Sequence, residues 1–132
     1  MLEDLIGKKI KSIEFEGTYR DHLIFTLDDD TVYQAYHMQD CCEQVCVYDT
    51  VGEFKDVLNS KVINASETII EGDFPEGITA QDVKDNDYCL ECWTWTIHTI
   101  ETANATLIIR WLGISNGYYS ESVHFGLTHK RI

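Results

Sequence analysis

Trp93-Thr94-Trp95-Thr96-Ile97-His98-Thr99-Ile100 is the stretch that decides the fold. Apolar and polar residues alternate along it, so an extended chain carries Trp93, Trp95 and Ile97 on one side. Following it, Asn104 marks a turn, and residues 106–112 read as a buried strand holding Trp111. Ser115-Asn116-Gly117 is a turn signal, because Asn-Gly readily takes positive φ, and residues 118–125 are expected to return as a final strand. Upstream, residues 11–15 alternate with Ile13 and Phe15 on one side. Residues 22–27 and 31–37 read as two strands joined by an acidic turn at Asp28-Asp29-Asp30. Val45-Cys46-Val47-Tyr48 gives a fourth strand, and residues 61–70 give another.

Helical signals are few. Residues 2–6 predict one opening turn stopped by Gly7, and residues 53–58 a short helix. Residues 72–87 hold the single proline, two glycines and dense charge, which predicts a loop or lid rather than an element. These readings predict an α+β, mainly β fold over residues 1–132: a single domain with a twisted antiparallel sheet and one or two short helices, interrupted by an acidic loop at 71–91. A chain of 132 residues has the size of one core.

Charge narrows the function classes. With 23 acidic residues against 10 basic, the net charge of −13 repels nucleic acid and anionic membrane and favours a basic protein partner. Residues 71–91 carry Glu71, Asp73, Glu76, Asp82, Asp85, Asp87 and Glu91 against Lys84 alone, a density able to imitate the charge track of a nucleic acid. No apolar run nears the roughly 20 residues of a membrane span. Met1-Leu2-Glu3-Asp4 carries acid where a secretory signal carries Lys or Arg, so a reducing cytoplasmic location is expected.

In that setting the five cysteines read as metal ligands or as small buried apolar groups. His37-Met38-Gln39-Asp40-Cys41-Cys42 supplies His37 with Cys42 or Cys41, and Cys89-Leu90-Glu91-Cys92 supplies a two-sulfur knuckle. Together they offer four soft ligands for Zn2+. Cys46, between Val45 and Val47, fits simple burial. A Cys41 nucleophile with His37 or His124 is the catalytic alternative, but surrounding carboxylates raise a thiol pKa and oppose thiolate activation. No phosphate-binding glycine loop or Gly-x-Ser-x-Gly elbow is present, so the chain is not expected to be an enzyme. Tyr118 and Tyr119 point to opposite faces of an extended chain, leaving one as an interface anchor.

Two long motifs, Tyr36-His37-Met38-Gln39-Asp40-Cys41-Cys42-Glu43 and Ser115-Asn116-Gly117-Tyr118-Tyr119-Ser120-Glu121, with Trp95-Thr96 and Arg110-Trp111-Leu112-Gly113, resemble a family of small phage and prophage proteins. The resemblance runs from about Lys8 to Phe125 and favours His37, Cys41 and Cys42, with Asp40, as ligands, leaving Cys89 and Cys92 outside the pattern. In size, acidity and expected zinc the chain also resembles phage anti-CRISPR proteins that inhibit Cas9. That likeness implies occupation of a basic DNA-handling surface, with Asp28, Asp29, Asp30, Asp82, Asp85, Asp87, Tyr118 and Tyr119 as the contact set. The rival expectation is a phage accessory protein with a structural zinc, where acidity serves only solubility.

Overall fold

The computed structural model describes residues 1–86 and 88–128. Among these residues, eight strands form two four-stranded antiparallel sheets. The first sheet has the order β1 (Ile10–Phe15), β2 (His22–Leu27), β3 (Val32–Tyr36) and β8 (His124–Leu127). The second has the order β4 (Gln44–Val51), β7 (Thr106–Ser115), β6 (Cys92–Thr102) and β5 (Val62–Glu71). The mainly-β, α+β class expected from the sequence holds, with two layers in place of one sheet. The two expected helical turns are short 3-10 segments, Leu2–Leu5 and Phe54–Val57.

Alternation explains why the layers pack as they do. In β6, Trp95 looks one way, while His98 and Ile100 look the other and join Ile109 and Trp111 of β7 in the core that also holds Leu23, Phe25 and Leu27. Trp95 and Leu112 form a second cluster on the outer face of the same sheet. Both faces of β6 and β7 are therefore covered, which is why this hairpin is apolar on both sides.

The cover of the outer face corrects the sequence reading. Residues 72–87 were expected to be a loop or lid without an element, yet they contain the helix α1 (Ala80–Asp85). Thr79 and Asp82 cap its first turn reciprocally: the Asp82 N–H donates to Thr79 Oγ1 at 3.1 Å and the Thr79 N–H to Asp82 Oδ2 at 2.8 Å. Val83 is fully buried, and Phe74, Ile78, Tyr88 and Leu90 pack with it against Trp93, Trp95 and Ile114. Asp73, Glu76, Asp82, Asp85 and Glu91 face solvent, so the acidic loop is an amphipathic flap pinned by its apolar side.

The end of the chain also differs from expectation. Residues 118–123 do not form a strand; β8 starts at His124 and pairs with β3 of the other sheet. Side chains take the backbone donors that a hairpin would have used. Gly117 N–H donates to Ser115 Oγ, Tyr118 N–H to Asn116 Oδ1 and Ser122 N–H to Ser120 Oγ, which folds the segment into successive local turns.

Candidate functional site

Both long motifs meet at the end of the second sheet where β4 begins and β7 ends, since Gln44 pairs with Ile114. Glu43 organises the first loop. Its side chain is fully inaccessible, and its carboxylate accepts from His37 Nε2 at 2.7 Å and from the Asp40 and Cys41 backbone N–H groups, each at 2.9 Å. The hydrogen bond from His37, reinforced by those two N–H donors against the opposing effect of burial, holds the carboxyl down at about 2. His37 Nδ1 lies 2.6 Å from the Ser122 carbonyl oxygen, which ties this loop to the one ending the second motif.

Glu121 does the equivalent work there. Thr94 Oγ1 donates to its Oε1 at 2.7 Å, and Ser115 Oγ donates to its Oε2. Glu121 rests directly on Gly113, where any Cβ would stand 2.6 Å from the Glu121 carbonyl oxygen; only glycine allows that approach.

Beside Glu121 opens a cleft of about 450 Å³. The two ends of the acidic flap form one wall with Glu71, Gly72 and Glu91, and Trp93 and Tyr119 contribute aromatic surface. Among the described residues, three carboxylates and no Lys or Arg line it. Such walls suit a cationic side chain, which gains from carboxylate and ring face alike.

Charge is separated across the molecule. Asp28, Asp29 and Asp30 form the expected β2–β3 turn, but a basic residue pairs with it: Lys11 Nζ is 3.1 Å from Asp30, while the Asp28 N–H donates to the carbonyl of Lys9, whose backbone bridges to Lys61. Thr31 hydrogen bonds, with a smaller contribution from Lys8, lower the Asp29 pKa. Lys61 directly precedes β5, and the flap leaves β5 at its other end, ten residues and roughly 30 Å away. The expected single contact set is therefore divided. Asp82 and Asp85 lie on the flap with Glu71, Asp73, Glu76 and Glu91, while Asp28–Asp30 sit near Lys8, Lys9, Lys11 and Lys61; Asp87 lies outside the described residues. Tyr118 is 88% exposed, and Tyr119 lines the cleft.

The expected zinc ligands are not assembled. Among the described residues no group of three or more His, Cys, Asp or Glu is placed to hold a metal ion. Each His37 ring nitrogen already faces an oxygen, and Cys41 and Cys42 are joined to each other as a disulfide. Asp40, Cys89 and Cys92 are exposed, without the other donors gathered round them. These donors as arranged do not fit a tetrahedral zinc, which would require His37 to surrender a hydrogen bond. Cys46 is buried as expected, 3.5 Å from the Tyr88 hydroxyl. Burial, then the Cys46 thiol, raises the Tyr88 pKa. His98 is fully buried and bonded to Glu67 at 2.9 Å, an interaction that lowers the Glu67 pKa.

A family model described as a domain of unknown function (DUF7448) matches residues 3–125. The chain belongs to this family. The match includes both motif loops, the flap and the cleft-bordering and clamping residues from Glu43 to Glu121. No curated protein and no solved structure matches the chain. Among the described residues no helix is long and apolar enough to cross a membrane.

Proposed function

We propose that this protein is a non-catalytic acidic binding module that docks on a cationic, nucleic-acid-handling surface of another protein. The single observation that supports it is the electronegative end as the described residues form it: an exposed flap whose acids face outward, next to a cleft with carboxylate and aromatic walls and no basic lining residue. A lysine or arginine of the partner would enter the cleft between Glu71, Glu91, Trp93 and Tyr119, and the flap acids would replace the phosphates the partner normally holds. The two clamped motif loops make this end rigid, which lowers the ordering cost of association.

The sharpest form of the reading draws on the phage likeness: an anti-CRISPR protein acting in the host bacterial cytoplasm, covering the positively charged channel of Cas9 so that target DNA does not load. No step of this mechanism calls on zinc. Titration of guide-loaded Cas9 at about 50 mM and about 300 mM salt tests it. Binding that competes with target DNA and weakens at least tenfold in the higher salt is expected, because screening shortens the reach of exposed charges. Absence of binding at the lower salt contradicts the Cas9 form.

A second reading, a phage accessory protein whose acidity serves solubility, is favoured by the internal use of both motifs: Glu43, His37 and Glu121 all bond within the chain. Under it, replacing Asp82, Asp85 and Asp87 together by asparagine leaves the biological effect intact.

A further inference from the structure

We propose that Cys41 and Cys42 form a reversible two-sulfur site, a disulfide when oxidised and, when reduced, a chelating dithiol for one thiophilic centre such as trivalent arsenic. Neighbouring side chains of an extended strand point to opposite faces, so adjacent cysteines ordinarily cannot act together. Here the chain bends at 41–42, and the two sulfurs are joined. What holds the bend is independent of the sulfurs. The Glu43 carboxylate takes the Asp40 and Cys41 N–H groups, Gln39 Nε2 donates to the Glu43 carbonyl oxygen at 2.7 Å, and buried His37 fixes the carboxylate from behind. Both cysteines are exposed, so reductant and ligand can reach them.

Reduction follows thiol–disulfide exchange. A thiolate of a small-molecule or protein thiol attacks one sulfur, the other leaves as a thiolate, and a second reductant thiol resolves the mixed disulfide. The reductant loses two electrons as its own disulfide, and the protein gains two thiols. An organic arsenoxide then condenses with both thiols, forming two S–As bonds and releasing one water. Because the clamp keeps both sulfurs on one side, little ordering is needed on capture. The inference does not depend on the docking proposal, since the loop does not line the acidic cleft.

The test uses the full chain and phenylarsine oxide, with intact-mass spectrometry as readout. Chain equilibrated with oxidised glutathione and freed of mixed disulfides should gain two hydrogens on reduction, and reduced chain should bind one arsenical. Cys41→Ser and Cys42→Ser should each abolish both effects, whereas the double variant Cys89→Ser/Cys92→Ser should keep both. Glu43→Gln should release the arsenical to a competing free dithiol at a several-fold lower competitor concentration. An adduct that fails to form, or that follows Cys89 and Cys92, overturns the proposal; retention unchanged in Glu43→Gln overturns the preorganised clamp.

Discussion

Glu43 and Glu121 end the two motifs, and both turn inward to collect donors instead of outward to meet a ligand. For Glu43 this has a pH consequence. Its folded-state pKa of about 2 lies below the ordinary value of 4.5, so the folded state binds that proton more weakly. The stability it confers is fully present above about pH 4.5 and is lost as pH falls toward 2. Glu43→Gln should lower the melting temperature at pH 7 and flatten the acid limb, so that the two melting curves converge between pH 4.5 and 2. Parallel curves across that window would contradict the clamp. Both glutamates were visible in the sequence as motif letters, but not their roles. His37 reaches Ser122 across 85 positions, and Glu121 reaches Thr94 across 27, distances at which no local pattern speaks. The contacts of His37 were illegible for the same reason: ligand spacing suggested a metal, while the oxygens its two ring nitrogens face belong to Glu43 and Ser122.

At the scale of elements, the alternation of β6 carried real information. It predicted the strand and the shared face of Trp93 and Trp95, and the apolar burden of β7 followed. The flap was misread because its acids drew attention from its inward set, Phe74, Ile78, Val83, Tyr88 and Leu90. The capping pair Thr79 and Asp82 was legible, and its spacing announces a helix start. Thr79→Ala should cost about 1 kcal/mol. The loss should be local: amide exchange should accelerate across 79–86 while the β6–β7 amides keep their protection. Uniform acceleration throughout both regions would mean that the flap is not a separable cover. The final strand was misplaced because Asn116, Ser115 and Ser120 bond backbone N–H groups locally, a competition that alternation alone does not reveal.

Over the whole molecule, the sequence showed where acid is dense along the chain but not which acids share a surface. Asp28–Asp30 looked equivalent to the flap acids until the fold brought Lys11 to Asp30 and the Lys9 backbone to Asp28. The resulting separation, mixed charge at one end and nearly unrelieved acid at the other, gives the docking proposal its direction. The decisive measurement compares two charge-neutral variants for binding to guide-loaded Cas9 at low salt. One replaces Glu71, Asp82, Asp85 and Glu91 by their amides, and the other replaces Asp28, Asp29 and Asp30. The account predicts at least a tenfold loss of affinity for the flap variant and a change of less than about twofold for the turn variant, with both folds intact by circular dichroism. Equal losses in the two variants, or binding by the flap variant as tight as that of the parent, would contradict it.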